Sequence, residues 1–289
     1  MQILTWTRRT LRATPLLIAL LAAAAGFAGD RTLSEAELDA SLPEGGSLTG
    51  RQIYERFLDN RLDAAYQKLR IISSDPGGSQ QVTHFDLWST DYRDENNLAV
   101  REVLAKSLAS FTSPYDMRGT SYLQIAKDPG PDLEYIYRPS EKRVRRVNLK
   151  KTSIAGSDFT FSDLAFQDIE DAEYQRMPDE VLEGTPVFVV EAIMKPLVDS
   201  EYAKVVNYLE REHYVPVRTR YWDRAEVETK EMRAPPETIR EFDGVWVATK
   251  SIMRDLKQNT HSLLHVDELD PNPDIRDRHY SLARLSRGK

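Results

Sequence analysis

Hydrophobic and polar residues alternate along most of the chain from about Ala65 onward, and this period of two predicts β-strands. Turn-forming residues separate the alternating stretches, most clearly at residues 75–78, which read Asp-Pro-Gly-Gly. The predicted strands cover residues 66–74, 81–90, 100–111, 121–127, 133–138, 143–149, 187–193, 204–210, 214–222, 227–233, 238–241, 245–254 and 260–268. Short connections between successive strands predict antiparallel neighbours in a meander.

A helical pattern precedes the strands, over residues 48–60, and Ser47 or Thr49 is its predicted N-cap. Its apolar stripe has the spacing i, i+1, i+4, i+5 and consists of Ile53, Tyr54, Phe57 and Leu58. Two later segments depart from the alternation. Residues 158–175 mix aromatic and acidic residues, which predicts a loop or short helices, and residues 275–285 are a predicted closing helix.

These elements predict one mainly β (α+β) domain over residues 47–289, built on a large antiparallel sheet with an N-terminal helix. A sheet of about ten or more strands must curl, split or flatten. If it curls around few helices, its concave face can enclose an apolar cavity suited to a long-chain ligand. A fully packed α/β sandwich without a cavity is the alternative, and the pattern does not decide between the two.

The first 28 residues have the layout of an export signal. Arg8, Arg9 and Arg12 precede an apolar run over residues 14–25, and small residues before position 29 predict cleavage after Ala28. An N-terminal membrane anchor is the alternative interpretation. We expect export to a periplasm, through the general secretory route rather than the twin-arginine route. Residues 29–46 are polar and acidic and form a predicted flexible lead.

Composition narrows the classes of function. The chain carries a net charge of −7, which becomes −10 once the three leader arginines are removed, and this argues against nucleic-acid binding. The absence of cysteine excludes disulfides, thiolate metal sites and a cysteine nucleophile. No phosphate-binding loop or serine elbow is present, so we expect no enzyme activity and no cofactor. His261 and His265 are four residues apart but lack an evident third ligand, so no metal site is predicted.

One dense basic patch occupies residues 142–151 of this otherwise acidic chain. On a strand, Arg143 and Arg145 share one face and Arg146 lies on the other. The patch can dock an acidic partner or anionic lipid headgroups. Alternatively it is a solvated edge strand whose charges block edge-to-edge aggregation.

Three ordered motifs resemble a known family. Residues 111–123 (FTSPYDMRGTSYL), 135–147 (YIYRPSEKRVRRV) and 156–164 (GSDFTFSDL) are similar to conserved stretches of the LolA-like outer-membrane lipoprotein-sorting proteins. Tyr135 stands where that family commonly has tryptophan, and the resemblance extends over residues 48–286.

The resemblance implies a curved, open antiparallel half-barrel, LolA/LolB-like, with short helices over its concave face. It also implies a monomeric periplasmic carrier that binds the acyl chains of a lipid or lipoprotein and hands them on toward the outer membrane. The alternative is an accessory protein that docks to an RND/MMPL-type exporter without carrying cargo, through Arg143, Arg145 and Arg146. The candidate cavity and flap residues are Phe57, Leu69, Ile71, Phe85, Leu87, Leu123, Tyr135, Phe159, Phe161 and Leu164.

Residues Phe159, Phe161 and Leu164 have two possible roles. They form either a mobile apolar flap over the cavity or a static part of the core. Asp158 or Ser157 is the predicted cap of the short element that carries them.

Overall fold

The structure, a computed structural model, describes residues 31–32, 48–75, 77–94, 98–164 and 168–286. Helix α1 spans Gly50–Asp59, and α2 is a single turn at Leu282–Leu285. Sixteen strands are described: β1 Arg31–Thr32, β2 Ala64–Ser74, β3 Gln80–Asp91, β4 Val103–Ser113, β5 Ser121–Lys127, β6 Leu133–Arg138, β7 Arg143–Val147, β8 Ala172–Leu182, β9 Thr185–Met194, β10 Tyr202–Glu210, β11 Pro216–Asp223, β12 Glu228–Arg233, β13 Ile239–Phe242, β14 Val245–Ala248, β15 Lys250–Asp255 and β16 Thr260–Pro271. The predicted leader and most of the predicted lead lie outside the described residues.

Fourteen of these strands form one antiparallel sheet in the order β1-β8-β9-β10-β11-β12-β15-β16-β2-β3-β4-β5-β6-β7. Strands β13 and β14 form a separate hairpin. The predicted fold class is confirmed: the protein is mainly β, and its large antiparallel sheet is not closed into a barrel.

The sheet curls around a large apolar cluster. Strands β2 to β7 form one arm of the sheet, and its remaining strands form the other. Buried side chains from both arms meet in this cluster, with Phe85 of β3 on one side and Tyr221 of β11 and Met232 of β12 on the other. The face that carries this cluster is called the inner face here, and the opposite one the outer face. The β13–β14 hairpin packs on the inner face through Val247 and Ala248.

Helix α1 also packs on the inner face. Its N-cap is Thr49, one of the two residues predicted for this position, and Thr49 forms a capping box with Gln52. Its apolar stripe, which includes Phe57, contacts Phe188 and Leu209 of strands β9 and β10. A Cβ at Gly50 would lie 2.5 Å from the backbone nitrogen of Arg176 on β8, so only glycine fits this close approach.

Three predicted elements were wrong in their extent. Residues 172–175, predicted as loop or short helix, begin strand β8, which was not predicted at all. The strand predicted at residues 245–254 is divided at Thr249 into β14, in the hairpin, and β15, in the large sheet. The C-terminal helix is reduced to a 3-10 turn at Asp277–Tyr280 and the single turn α2, because Ser281 interrupts them in an extended conformation.

One connection determines where a site can form. Strand β7 lies at one edge of the sheet and β8 near the other, and residues 148–171 join them. The described part of this connection, residues 148–164 and 168–171, is called the crossing segment here and runs over the inner face from one arm to the other.

Candidate functional site

The inner face of strands β2 to β4 is a continuous apolar floor. Alternate residues in the middle of each strand form it, and these apolar residues are all buried: Leu69, Ile71, Phe85, Leu87, Ala109 and Phe111. The buried polar side chains of Gln67 and Ser89 share the same face at its margin. Partners across the strands share the face because directly opposite residues of an antiparallel pair point the same way, as Leu69 and Phe85 do. Such a surface is suited to an apolar group.

The crossing segment covers this floor with side chains of its own. Ile154 and Phe159 are 1% exposed, and they flank a tight turn in which the Ile154 N–H donates to the Phe159 carbonyl at 2.8 Å. Ala155 and Gly156 adopt positive φ in that turn. Phe161 and Leu164, in a 3-10 turn at Phe161–Leu164, are only half-buried against the same core.

Asp158 fastens the first turn of the crossing segment to the centre of the sheet. Its carboxylate accepts hydrogen bonds from the hydroxyls of Thr260 and Ser262 on β16, both at 2.5 Å, and its N–H donates to the Ser262 hydroxyl at 3.0 Å. The predicted helix-capping role of Asp158 is therefore wrong, because the carboxylate bonds to another strand.

Asp163 holds the second turn of the crossing segment, the 3-10 turn at Phe161–Leu164, in place. Its carboxylate accepts from the Tyr202 hydroxyl at 2.8 Å and from the Thr160 N–H at 2.7 Å, and it pairs with Lys230 of β12 at 3.3 Å. Glu201 joins the cluster by accepting from the Thr160 hydroxyl at 2.9 Å. Burial, reinforced by the Asp163 charge, raises the pKa of Tyr202 well above its ordinary value, so this hydroxyl stays a donor.

Little space remains between the floor and the crossing segment. A cavity of about 20 Å³ lies beneath Phe161 and Leu164, bounded by Phe85, Leu87 and Tyr122. That volume is roughly enough for one water molecule. The crossing segment therefore fills most of the space above the floor.

The structure brings seven of the predicted cavity and flap residues together. Leu69, Ile71, Phe85 and Leu87 lie in the floor, and Phe159, Phe161 and Leu164 lie on the crossing segment above it.

The other three predicted cavity residues lie elsewhere. Phe57 is part of the α1 cluster. Leu123 and Tyr135 are on the outer face, where they pack against Tyr280 and Leu285 of the C-terminal segment. The sheet therefore separates them from the floor.

The basic hairpin β6–β7 ends the sheet. Arg143, Arg145 and Arg146 are all exposed on the edge strand β7. Arg145 pairs with Glu141, which Arg138 also contacts at 3.2 Å. Within the described residues, Arg143 and Arg146 have no ion-pair partner.

The anchors Asp158, Asp163 and Lys230 were not predicted as functional residues. Asp158 and Asp163 lie inside the third family-like motif, but nothing in the sequence identifies Lys230, which is distant along the chain. Among the described residues, no cluster of three or more histidine or acidic side chains is arranged to hold a metal ion. None of the described helices has the length and hydropathy needed to cross a membrane.

Comparisons with known proteins place the chain in a family. A family model, described as uncharacterized-protein-like, matches residues 104–287. None of the curated proteins matches the chain.

Three solved structures share the fold. One is a domain assigned as an outer membrane lipoprotein-sorting protein from Vibrio parahaemolyticus, with 24% identity, a TM-score of 0.72, and coverage of 82% of this chain and 98% of its own. A DUF1329 family protein from Desulfovibrio piger has 19% identity, a TM-score of 0.74, and coverage of 82% and 97%. A LolA superfamily protein from Nitrosomonas europaea has 18% identity, a TM-score of 0.65, and coverage of 81% and 98%. The chain thus belongs to the family of the matching model, and its fold is that of the LolA-like outer-membrane lipoprotein-sorting proteins.

Proposed function

We propose that the protein is a non-enzymatic periplasmic carrier that binds the acyl chains of a lipid or lipoprotein between the floor and the crossing segment. The observation that carries this proposal is the apolar floor, which is covered by a tethered segment of the same chain rather than by a regular layer of helices. Each methylene transferred from water into such a site contributes about 0.8 kcal/mol. An acyl chain of ordinary length can therefore bind without any catalytic or charged group in the site.

The two turns of the crossing segment have different roles in this proposal. Phe159 is fully buried and Asp158 holds its turn to β16, so this part stays in place as core. The side chains of Phe161 and Leu164 are half-buried over the cavity, and they rotate aside when an acyl chain enters, while Asp163 holds the backbone of their turn in place. These two side chains are the proposed lid.

The lid also explains how a carrier can release its cargo. In the empty protein, Phe161 and Leu164 supply the floor with the apolar contacts that an acyl chain would supply. The net affinity is then the difference between two sets of contacts, because binding requires the lid contacts to be lost. A carrier that must pass its cargo to another protein needs such a moderate affinity.

Native mass spectrometry of the protein purified from its own periplasm tests the proposal directly. We expect a population whose added mass, after extraction, is identified as a lipid or an acylated protein. Purified protein should also enhance the fluorescence of 11-(dansylamino)undecanoic acid. Absence of both signals would contradict the proposal.

A cavity-filling variant tests where the acyl chain binds. Ala109 is a buried floor residue, and Ala109→Phe places a ring in the space that the acyl chain requires. We expect the variant to bind the dansyl probe at least about tenfold more weakly, which corresponds to 1.4 kcal/mol. Ala225→Phe, the same change at an exposed turn position, is the matched control and should bind as the wild type does. Equal binding by both variants would place the site elsewhere.

The exposed edge of the sheet supports a second candidate function, docking to an RND/MMPL-type exporter. Arg143 and Arg146 are exposed on β7 and have no ion-pair partner within the described residues, so they are available to an acidic surface. Arg143→Glu with Arg146→Glu should abolish co-purification of the exporter and leave dansyl-probe binding unchanged. Retained co-purification would count against docking through this hairpin.

A further inference from the structure

One cross-strand row of side chains runs along the outer face of the sheet. The row consists of directly opposite partners on seven neighbouring strands: Asp270, Tyr66, Trp88, Leu108, Leu123, Tyr135 and Arg146. Partners in such register share a face, so the row is a continuous strip that is acidic at one end, aromatic and aliphatic in the middle, and basic at the other end.

The C-terminal segment after β16 lies over this strip but covers it unevenly. Tyr280 and Leu285 pack directly on Leu108 and Leu123 and are buried. Beside this contact the segment leaves a groove of about 820 Å³, with Trp88 among its lining residues.

Contacts at both ends of the segment hold the groove open. At one end, the Asn272 N–H donates to the Ala64 carbonyl at 2.8 Å, and the Asn272 side chain accepts from the Ala64 N–H. At the other end, the Tyr92 hydroxyl donates to Asp277 at 2.7 Å, and the Tyr280 hydroxyl lies 2.7 Å from that of Thr90. The groove is therefore a preformed feature of the fold rather than a gap beside a loose terminus.

Aromatic rings form one wall of the groove. Tyr66 and Trp88 are stacked with their ring centroids 5.2 Å apart, and the centroid of the His279 ring lies 4.9 Å from that of Trp88. Burial, with a contribution from the nearby Arg284, lowers the pKa of His279, so this ring is neutral near pH 7. The wall presents apolar ring surface without a charge of its own.

Charged side chains surround the wall. Arg276, Arg278 and Arg284 line the groove together with Asp270 and Asp274. Arg276 lies 3.8 Å from the carboxylate of Asp274. Within the described residues, Arg278 and Arg284 have no ion-pair partner, so the groove has positive charge available for an anion.

We propose that this groove binds an anionic sugar, with the apolar face of the sugar ring against Tyr66 and Trp88 and its phosphate or carboxylate on Arg278 and Arg284. The carboxylates of Asp270 and Asp274 accept hydrogen bonds from the sugar hydroxyls. Guanidinium groups match phosphate oxygens in charge and geometry. The sugar is either a free sugar phosphate or the phosphorylated headgroup of a glycolipid. The site is separated by the sheet from the proposed acyl-chain site and does not depend on it.

Calorimetric titration of the purified protein with N-acetylglucosamine 1-phosphate tests the proposal, with N-acetylglucosamine and inorganic phosphate as comparison ligands. We expect the sugar phosphate to bind at least about tenfold more tightly than either comparison ligand, because it engages both the ring wall and the arginines. Absence of binding, or binding of phosphate alone with equal affinity, would overturn the proposal.

A matched pair of variants locates the binding. Arg278 is exposed and has no ion-pair partner within the described residues, so Arg278→Gln should fold normally and lose at least about tenfold in affinity. Arg254→Gln removes another exposed arginine, from β15 outside the groove, and should bind as the wild type does. Equal affinity in both variants would show that the sugar phosphate binds elsewhere.

The two sources of the sugar are distinguished by a third ligand, the dodecyl phosphodiester of the same sugar below its critical micelle concentration. Tighter binding of the dodecyl compound that survives Ala109→Phe identifies a glycolipid headgroup with its chain in or near the groove. Equal affinity for both compounds identifies a free sugar phosphate. Either result requires that Arg278→Gln weakens binding.

Discussion

Lys230 of β12 lies 3.3 Å from the carboxylate of Asp163, and this buried ion pair joins the crossing segment to the far arm of the sheet. The two side chains are 9% and 2% exposed. A buried pair of this kind is weak in net stabilisation, but the loss of one partner is costly because the other charge is left uncompensated. The pair therefore defines one position for the second turn of the segment.

Lys230→Met should accordingly lower the free energy of unfolding by about 3 to 5 kcal/mol, because the Asp163 carboxylate stays buried without a counter-charge. Urea denaturation measures this loss. Lys230→Met combined with Asp163→Asn removes both charges and should recover much of it. A loss below about 1 kcal/mol in the single variant would mean that the hydrogen bonds from Tyr202 and Thr160 suffice for the carboxylate.

Asp158→Ala should release the first turn of the crossing segment while leaving the sheet intact. The carboxylate holds the turn to Thr260 and Ser262, so its removal should increase amide exchange at residues 154–159. Hydrogen–deuterium exchange measured by mass spectrometry checks this. Asp116→Ala, at an exposed aspartate, is the control. Unchanged exchange at residues 154–159 would show that apolar burial of Phe159 alone holds the turn.

Acid should weaken the start of the crossing segment. Hydrogen bonds from Lys151 and then Asn148 lower the pKa of Asp199 below its ordinary value of 3.8. A carboxyl with a lowered pKa in the folded state stabilises it above pH 3.8, and this contribution is lost as the pH falls through the folded value. Because Asp199 is half-exposed, the contribution at pH 7 should be at most about 1 kcal/mol.

The comparison of wild type with Asp199→Asn measures this contribution. Thermal unfolding should give a higher midpoint for the wild type at pH 7, and the difference should shrink as the pH falls from 3.8 through the lowered pKa of Asp199. A difference that is constant over this range would assign the effect to packing rather than to the charge.

The arginines of the edge strand β7 should keep the protein monomeric. Charged side chains on an exposed edge oppose pairing with the edge of a second molecule. Arg143→Thr with Arg146→Thr replaces them with a residue that favours strands and should produce self-association in sedimentation velocity. Arg224→Thr with Arg276→Thr removes the same charge away from this edge and should remain monomeric. Equal association by both pairs would point to net charge instead.

The sequence pattern identified residues of the floor, but it did not show which of the other apolar residues lie on the outer face. Strands β2 and β3 are buried mainly on one side, so Leu69 and Phe85 alternate with more exposed residues. Strand β5 is buried on both sides, because the C-terminal segment covers its outer face. Alternation is absent there, and Leu123 could not be assigned to a face from the pattern.

Strand β8 illustrates a different limit. It contains Pro178 and many polar residues, and its alternation is interrupted. The structure accommodates the proline in an irregularity of pairing between Met177 and Glu180, where a ladder hydrogen bond is not required. Such a bulge depends on the partner strand β9, so the local sequence of β8 alone does not predict it. The anchor Lys230 was missed for a similar reason, since its partner lies 67 residues away.

The pairing of β16 with β2 has a consequence for how the chain acquires its fold. The two strands join the arms at the middle of the sheet, and their ends meet at Ala64 and Asn272, which are 208 residues apart. Contacts this distant along the chain form slowly. We expect the two arms to remain unjoined until the last strand is available, so a chain that emerges from a membrane N-terminus first completes its fold only after nearly all of it has crossed. In a chain truncated before residue 260, hydrogen exchange should then show lost protection at the β2 amides that bond to β16.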